Sequence, residues 1–324
     1  MAKKMEEGYG TKVLMNVADA DHVDLSEFSE EKAKETRRFH ESIPVYNRTP
    51  LVHLRGLGEK LGVKGIYVKN EAERFGMKAF KGLGGTYAMF RILCRELGLD
   101  PEKVDFSEFQ KKETREKTAK YTFVTATDGN HGKGVSWASG LFGAQAYVYM
   151  PKGTVKAREE AVRQAGPAEV TVTDWNYDDT VKYAKKMSEE HGWFLIQDTS
   201  WDGYEEIPGW IMDGYLTMAS EAAEQTEAAG EIPTHVFLQA GVGSMAGVGS
   251  MAGAVAGYLV NHYGKKAPKF LIVEPDVADC IFKSGEAGEL RSVDGAPETI
   301  MAGLNCGTPC KSIWPALKKL PTAY

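Results

Sequence analysis

The hydrophobic and polar positions alternate between two kinds of segment along most of the chain. Short apolar runs rich in β-branched and aromatic residues are typical of buried strands, and longer segments with apolar residues every three or four positions are typical of helices. We therefore predict strands within 65–73, 121–127, 144–151, 168–174, 193–198, 234–244 and 269–275, and helices over 24–41, 80–99, 128–143, 155–166, 177–192, 210–226 and 254–264. Ser26 or Ser29 is expected to cap the first helix. Strand–helix repetition of this kind predicts an α/β fold with parallel-rich sheets covered by helices.

Length and composition narrow the class of protein. The chain has 324 residues, which suits two domains. Its 39 Lys and Arg against 45 Asp and Glu give a net charge of −6, so it lacks the basic surface of a nucleic-acid binder. Many of the 35 glycines stand in short clusters after apolar runs, a pattern typical of α/β proteins that bind phosphate groups.

Cysteine usage and the N-terminal sequence bear on the compartment. Residues 1–12 contain no apolar stretch, so no secretory signal is expected. Four cysteines in so long a chain favour a reducing, cytoplasmic environment. None of them forms a C-x-x-C pair and no histidine stands nearby at ligand spacing, so we expect no structural zinc and no other metal site.

A glycine-rich unit, GVGSMA, occurs at 241–246 and again at 247–252. No Asp, Glu, Lys or Arg occurs from Thr234 to His262, a length that could cross a bilayer as a helix of ~30 Å. Against this stand the abundance of glycine, the polar Ser244, Ser250 and Gln239, and a preceding VFLQ that is typical of a strand. We interpret the segment as a phosphate-binding loop and expect no membrane span.

Three glycine motifs each follow a strand or loop and precede a helix: AFKGLGG at 79–85, TDGNHG at 127–132 and QAGVGSMAG at 239–247. Glycines allow close approach of a ligand to the backbone, and helix amides attract anions. Taken singly, each has a plainer explanation. Lys81 suits a solvated helix start, Asn130 a turn, and the third motif an ordinary packing loop.

Taken together, the motifs and their surroundings resemble the fold-type II pyridoxal-phosphate enzymes, which include threonine dehydratase and tryptophan synthase β. Within that group the chain resembles the diaminopropionate ammonia-lyases, from about Thr49 to Leu317. The resemblance is carried by NEAERFGMKAFKGLGG, ATDGNHGKGVSWA, IQDTSWDGYEEIPGWIMDGY and VEPDVADCIFKSG. It implies a large cofactor-binding domain over 1–85 and 193–324 and a smaller α/β domain over 86–192.

The resemblance also implies how pyridoxal 5′-phosphate is held. Lys81, after Phe80, corresponds to the lysine that bonds covalently to the cofactor, a reaction that requires a neutral amine. Asn130 corresponds to the donor to the phenolic oxygen of the cofactor. The 5′-phosphate is expected on the backbone amides of the first glycine unit, that is Gly241, Val242, Gly243, Ser244 and Met245.

Two carboxylates are implied to take part in the reaction. Asp128 stands before the G-N-H triplet, where the dehydratases of this group usually carry a serine or another small neutral residue. The resemblance implies that Asp128 takes the α-proton of the D-isomer, whereas Lys81 serves the L-isomer. An Asx turn is the structural alternative for Asp128. Asp198 corresponds to a second active-site carboxylate that binds the ammonium at C3 of the substrate, with a helix N-cap as the alternative.

The implied activity is α,β-elimination of D- and L-2,3-diaminopropionate to pyruvate and two molecules of ammonia. The alternatives are a serine/threonine dehydratase-like lyase, which Asp128 argues against, and a truncated, non-catalytic relative. A homodimer acting on a small amino acid is implied, without nucleic-acid or membrane partners. The resemblance also places a cysteine pair at Cys280 and Cys306, which form either a labile disulfide or two buried thiols.

Two departures from the family pattern lead to expectations about the structure. The family pattern has one GVGSMAG, so we expect the six added residues to form a bulge with the first copy nearest the phosphate. Lengthening the following helix by six residues would instead rotate its buried face by ~600°. The pattern also continues for several dozen residues beyond LPTAY, and we expect the corresponding C-terminal part to be missing from this chain.

Overall fold

The structure is a computed structural model of the chain. It describes residues 5–8, 10–127, 129–198, 200–241, 249–293, 299–304 and 306–324. The predicted base Asp128 and the predicted phosphate-binding residues Val242, Gly243, Ser244 and Met245 lie outside these ranges.

The described strands are β1 Met5–Gly8, β2 Thr11–Leu14, β3 Leu51–His53, β4 Tyr67–Lys69, β5 Thr122–Ala126, β6 Gln145–Met150, β7 Glu169–Val172, β8 Phe194–Leu195, β9 His235–Gln239, β10 Lys269–Val273 and β11 Pro321–Ala323. The α-helices are α1 Glu30–Glu41, α2 Arg55–Leu61, α3 Lys81–Leu97, α4 Lys112–Thr118, α5 Asn130–Phe142, α6 Lys156–Ala165, α7 Tyr177–His191, α8 Glu206–Ala228, α9 Ser250–Tyr263, α10 Cys280–Ala287 and α11 Trp314–Lys319. Short 3₁₀ helices lie at Ala20–His22, Ser26–Phe28, Glu71–Gly76, Phe106–Gln110, Gly264–Lys266 and Ala302–Leu304.

A four-stranded parallel sheet has the strand order β7-β6-β5-β8. Strand β5 is buried on both faces, so neighbouring side chains along it enter different cores. Val124 and Ala126 pack with Ala184 of α7, whereas Phe123 of the same strand packs in the core that includes Val135 of α5. This arrangement confirms the predicted α/β class with parallel sheets covered by helices.

A second parallel sheet has the order β11-β10-β9. Strand β10 lies in the middle, and Ile272 pairs with Leu238 of β9. Near this sheet the backbones of Leu14 and Tyr324 exchange two hydrogen bonds, of 2.9 and 3.0 Å, which tie an early segment to the last described residues. Strands β1 with β2 and β3 with β4 form separate antiparallel pairs.

Helix α3 lies at the centre of the molecule, packed against both α5 and α8. Residues 82–90 of α3 are all buried. The contact with α8 is close because a glycine stands on each side of it. A Cβ at Gly214 would lie 2.6 Å from Cα of Gly84, so neither helix has room for a side chain there. Because α3 begins at Lys81, this packing determines where that lysine lies.

The element boundaries differ from the prediction in a few places. Ser29 rather than Ser26 caps α1, because its hydroxyl accepts from the backbone N–H of Lys32 at 3.2 Å. Helix α8 begins at Glu206, four residues before the predicted start, because Pro208 is tolerated in a first helical turn. The strand predicted over 193–198 is reduced to Phe194–Leu195, after which the chain turns into the candidate site. The predicted domain boundaries remain a prediction.

The uncharged stretch around the doubled glycine unit forms a strand and a helix. It contributes β9 and α9, and α9 begins at Ser250 inside the second copy of the unit. Among the described residues, none of the helices has both the length and the hydropathy that a membrane span requires.

Candidate active site

A cavity of about 470 Å³ opens where several elements begin or end. Thr127 follows β5 and Gln239 ends β9, so the carboxyl ends of strands from both parallel sheets reach it. This is the edge at which α/β folds bind ligands. The first residues of three helices complete the walls, and among the lining residues are Lys81, Asn130, His131, Gly241, Gly249 and Ser250. The structure thus brings Lys81, Asn130 and Gly241 together, as predicted from three separate motifs.

Lys81 is the first residue of α3 and forms an ion pair with Asp198. Its Nζ donates a hydrogen bond of 2.7 Å to Oδ2 of Asp198, 117 positions further along the chain. The two side chains are only 12% and 1% exposed. The surface-lysine interpretation of Lys81 is therefore wrong, because a solvated helix-start lysine would be largely exposed.

Asp198 follows β8 and is buried. Burial opposes its ionisation, but the charges of His131, when protonated, and of Lys81, with the hydrogen bond from Lys81, keep the pKa of the Asp198 carboxyl below its ordinary value. Its second oxygen, Oδ1, is buried without a hydrogen-bond partner among the described residues. The N-cap alternative is wrong, because α8 begins at Glu206 and has Glu205 at its N-cap.

His131 is a site residue to which sequence reasoning assigned no role, although it stands inside the DGNHG motif. It is 3% exposed and follows Asn130 in the first turn of α5. Its Nε2 lies 2.8 Å from the carbonyl oxygen of Ile196, and its Nδ1 lies 3.6 Å from Oδ2 of Asp198. Burial lowers the pKa of the imidazole, so His131 is neutral at pH 7 when Lys81 is protonated.

Tyr215 of α8 is a second missed residue, since nothing in its local sequence distinguishes it from a core tyrosine. It is 1% exposed, and its hydroxyl has no hydrogen-bond partner among the described residues. Its ring meets the ring of Phe80 edge to face, with 5.2 Å between centroids. Burial raises the pKa of Tyr215 to about 12, and the charge of Lys81 partly opposes that rise. Tyr215 is therefore a neutral, polar group beside Lys81.

The hydroxyl of Thr127 organises the turn that presents Asn130. It accepts from the backbone N–H groups of Gly129, at 3.1 Å, and Gly132, at 3.2 Å. Asn130 is exposed and faces the cavity as the first residue of α5. Its side-chain amide is therefore accessible to a ligand in the cavity.

The described ends of the glycine segment also line the cavity. Gly241 follows β9, and a Cβ there would lie 2.6 Å from Cα of Leu304, so no larger residue fits. Gly249 has a φ of +102° and stands at the N-cap of α9. The first amides of a helix lack intrahelical partners and carry the positive end of its dipole. The N-terminus of α9, formed by the second glycine unit, therefore offers donors to an anion in the cavity.

The segment that leads into Lys81 is held by a buried ionic cluster. Arg74 is fully buried and donates to Glu221 of α8, with Nη1–Oε1 at 2.9 Å and Nη2–Oε2 at 2.8 Å. The same guanidinium donates to Glu71 at 2.8 and 2.9 Å. Phe75 and Lys78, between this cluster and Lys81, have φ values of 51° and 58°, which non-glycine residues rarely adopt. Sequence reasoning quoted this segment but missed the cluster, because Glu221 is distant in the chain.

The profile of the family described as "Pyridoxal-phosphate dependent enzyme" matches residues 43–324. The chain belongs to this family. It is 48% identical to the diaminopropionate ammonia-lyase of Escherichia coli K12 over 297 residues, which cover 92% of this chain and 72% of that enzyme. The predicted family is thereby confirmed.

Solved structures support the same relationship. A crystal structure of diaminopropionate ammonia-lyase from Escherichia coli in complex with D-serine superposes with a TM-score of 0.86 at 44% identity, covering 99% of this chain and 76% of the other. A second structure of that enzyme, in complex with an aminoacrylate-PLP azomethine reaction intermediate, superposes with a TM-score of 0.85 at 44% identity and the same coverage. The predicted fold type II is confirmed.

The residues around the cavity fit the cofactor of this pyridoxal-phosphate family. A covalent bond to an aldehyde needs a primary amine, which Lys81 supplies inside the cavity. A phosphate needs backbone donors at a helix N-terminus, which α9 supplies. The polar atoms Oδ1 of Asp198 and Nδ1 of His131 have no hydrogen-bond partner among the described residues, as expected where a polar ligand completes a site.

Cys280 and Cys306 are both buried and both thiols in the structure, as are Cys94 and Cys310. The disulfide between Cys280 and Cys306 remains a prediction. In the described part of the chain, no group of three or more His, Cys, Asp or Glu side chains is arranged to hold a metal ion.

Proposed function

We propose that the chain catalyses α,β-elimination of D- and L-2,3-diaminopropionate to pyruvate and two molecules of ammonia, with pyridoxal 5′-phosphate as cofactor. The observation that carries this proposal is the buried pair of Lys81 and Asp198 at the edge of a cavity reached by both sheets. A reactive amine, a carboxylate and a helix N-terminus converge there. The resemblance to the ammonia-lyases supplies the substrate.

We infer that three parts of the chain hold the cofactor. Lys81 forms the covalent bond through Nζ. Asn130 donates to the phenolic oxygen from the first turn of α5, and this role is supported by its exposure to the cavity. The backbone of Gly241, Val242, Gly243, Ser244 and Met245, together with the N-terminus of α9, binds the phosphate. Gly241 and Gly249 line the same cavity, which supports the proposed phosphate site.

When bound, pyridoxal phosphate supplies a conjugated ring that delocalises the negative charge left at Cα. The protein must then provide a base on the side from which the α-proton departs. Lys81 is the proposed base for the L-isomer and Asp128 for the D-isomer. A positioned base typically contributes ~10²–10⁴-fold to such a proton transfer. Asp128 lies outside the described residues, and its role is supported by the family resemblance.

Asp198 is proposed to bind the ammonium at C3 of the substrate. Its Oδ2 already accepts a hydrogen bond from an ammonium, that of Lys81, so its geometry and charge suit a second one. Oδ1 offers a further acceptor. The β-ammonium leaves as ammonia without needing a proton, and hydrolysis of the released product gives pyruvate and the second ammonia.

The proposal is tested with purified protein and added pyridoxal phosphate. We expect a near-visible absorbance band, and reduction with borohydride should label the peptide that contains Lys81. Pyruvate should form from both isomers of diaminopropionate faster than from serine. Lys81→Ala should lose the band, the label and the pyruvate, whereas Lys60→Ala, at an exposed position of α2, should keep all three. A label on another lysine, or preference for serine, would contradict the proposal.

One further variant distinguishes the proposed roles of Lys81 and Asp128 as bases for the two isomers. Asp128→Asn should lower kcat/KM for the D-isomer by at least ~10²-fold and leave the L-isomer within a few-fold, because a general base supplies that much. Equal losses for both isomers would refute the isomer-specific assignment.

We also propose a homodimer in a reducing, cytoplasmic compartment, with domains over 1–85 and 193–324 and over 86–192. The family resemblance supports the dimer, and four buried thiols support the compartment. Light scattering after size exclusion should give twice the mass of the 35.6 kDa chain. Limited proteolysis should cut near the exposed residue 192 and not near residue 86, which is buried inside α3.

A further inference from the structure

We propose that His131 is a positioning residue that takes the proton of Lys81 through Asp198, and so leaves the Lys81 amine neutral for bonding to the cofactor aldehyde. The inference rests on the proposed role of Lys81. It assigns a function to a histidine that the elimination scheme above does not use.

The hydrogen bonds of His131 determine where its proton lies. The carbonyl of Ile196 can only accept, so Nε2, at 2.8 Å, must carry the hydrogen of the neutral imidazole. Nδ1 then presents a lone pair to Oδ2 of Asp198 at 3.6 Å, where two acceptors face each other. Nδ1 has no hydrogen-bond partner among the described residues, although it is buried. A proton on Nδ1 would convert this contact into a hydrogen bond.

Lys81 and His131 both approach the same oxygen of Asp198. Nζ of Lys81 lies 2.7 Å from Oδ2, and Nδ1 of His131 lies 3.6 Å from it. One proton can therefore pass from Lys81 to Oδ2 and then to Nδ1 with a small movement of the carboxylate. Tyr215 of α8 faces Lys81 but stays neutral, because burial raises its pKa to about 12.

The transfer conserves protons and charge. Before it, Lys81 is an ammonium, Asp198 a carboxylate and His131 neutral; after it, Lys81 is an amine, Asp198 again a carboxylate and His131 an imidazolium. The net charge of the three groups is zero in both states, so no additional net charge is buried. One N–H bond breaks at Lys81 and one N–H bond forms at Nδ1 of His131, and an O–H bond on Asp198 forms and breaks between these two events. A lysine attacks an aldehyde through its lone pair, which only the second state provides.

His40, the second buried histidine of the core, shows how a histidine with a purely structural role is hydrogen-bonded. His40 of α1 has both ring nitrogens partnered, Nδ1 with Oγ1 of Thr217 at 2.7 Å and Nε2 with the carbonyl of Leu83 at 3.0 Å. His131 has one such partner and directs its other nitrogen to the Lys81–Asp198 pair. His40 therefore provides a matched control in the same core.

The first test follows the rate at which the cofactor-free chain combines with pyridoxal phosphate, by stopped-flow absorbance between pH 6 and 9. His131→Gln keeps an amide that can donate to Ile196 but has no basic nitrogen. We expect it to slow attachment at least tenfold at pH 7 and to recover toward the wild-type rate at pH 9. His40→Gln should lower the thermal midpoint but keep the wild-type pH profile. A wild-type profile for His131→Gln would overturn the inference.

The second test needs no cofactor and decides the matter even if His131→Gln folds poorly. Nitrogen-15 NMR of histidine-labelled protein at pH 7 should show His131 protonated only at Nε2. In Lys81→Met the carboxylate loses its ammonium partner, and we expect His131 to become doubly protonated. A histidine that stays neutral in Lys81→Met would refute the proton transfer. If the wild type forms no absorbance band while this NMR change occurs, the proposed function fails and the coupling of His131 to Lys81 stands.

Discussion

Gly214 of α8 lies directly against Gly84 of α3, and a Cβ on Gly214 would come within 2.6 Å of both Cα of Gly84 and the carbonyl oxygen of Leu83. This contact allows the two helices to approach at backbone distance. It also holds the first turn of α3, and with it Lys81, next to Tyr215.

Replacing Gly214 by alanine should therefore destabilise the fold. The added methyl group meets backbone atoms, which cannot rotate away, and overpacking of this kind costs ~1–3 kcal/mol. We expect a lower midpoint in urea unfolding and a weaker absorbance band with pyridoxal phosphate. Gly209→Ala is the control, since nothing lies within 4 Å of a Cβ at that position of the same helix. Gly209→Ala should leave the stability unchanged or raise it. Equal losses of stability in both variants would disprove the explanation that the added methyl group at Gly214 overpacks the helix contact.

The buried carboxylate of Glu221 should make stability fall at acid pH. Burial opposes its ionisation, but the hydrogen bonds and charges of Arg74 and Lys69 outweigh this and lower the pKa of Glu221 to about 2. A depressed folded-state pKa contributes stability that is complete above the unfolded value of 4.5 and is lost as the pH falls toward 2. We expect the free energy of unfolding to drop over this range in the wild type and to change less in Glu221→Gln.

At pH 7, Glu221→Gln measures how much the buried ionic cluster around Arg74 contributes to stability. Glu221→Gln leaves the buried Arg74 with only Glu71 as a charged partner among the described residues, and breaking a buried pair costs ~3–5 kcal/mol. Glu224→Gln is the matched control on the same helix. Glu224 pairs with Arg37 and Arg48 near the surface, so its loss should cost ~0–1 kcal/mol. Urea unfolding at pH 7 compares the two variants, and similar losses would count against the buried cluster.

Asp213 should have the opposite pH dependence. It is buried on α8, 4.0 Å from Nζ of Lys32, and burial raises the pKa of its carboxyl to about 7. The folded state then binds more protons than the unfolded state between the ordinary value of 3.8 and about 7, so stability falls as the pH rises through this window. Asp213→Asn removes the titration. The thermal midpoint of Asp213→Asn should rise relative to that of the wild type between pH 5 and pH 8. A difference between the two midpoints that does not change with pH would contradict the raised pKa of Asp213.

Gln197 should contribute to stability, although it is adjacent to Asp198 and makes no contact, among the described residues, that belongs to the Lys81–Asp198 pair. Its Oε1 accepts from the backbone N–H of Ala126 at 3.1 Å, and its Nε2 donates to the carbonyl of Ala126 at 3.0 Å and to Tyr177 at 2.6 Å. Gln197→Met preserves the size but leaves a buried N–H without this acceptor, a cost of ~1–3 kcal/mol. Gln145→Met, at an exposed position, should cost far less in urea unfolding.

Local patterns were sufficient for most of the fold. The apolar run at 121–127 became β5, and the amphipathic segment at 177–192 became α7, within one or two residues. Both succeed because side-chain periodicity reflects which face of an element is buried. Helix α8 begins before the predicted residue 210 because Pro208 fits within its first turn, and β8 is shorter than predicted because the chain leaves the sheet before Asp198.

The site shows the limit of such reasoning. Lys81, Asn130 and Gly241 were predicted from glycine motifs and the family resemblance, and they do line one cavity. His131 stood in a quoted motif without a role, because its function depends on which atoms its two nitrogens face. Tyr215 had no local signal, since it lies beside Lys81 only because α8 packs closely against α3.

The order of strands and helices, the parallel α/β class and the position of Lys81 at the start of a helix could be predicted from the sequence alone, because each depends on residues that are neighbours in the chain. Only the tertiary structure decided that Asp198 pairs with Lys81, that His131 faces the same oxygen, and that two glycines bring α3 and α8 together. Those relationships join residues far apart in the chain, and their energies come from burial and geometry that exist only once the helices and sheets have packed.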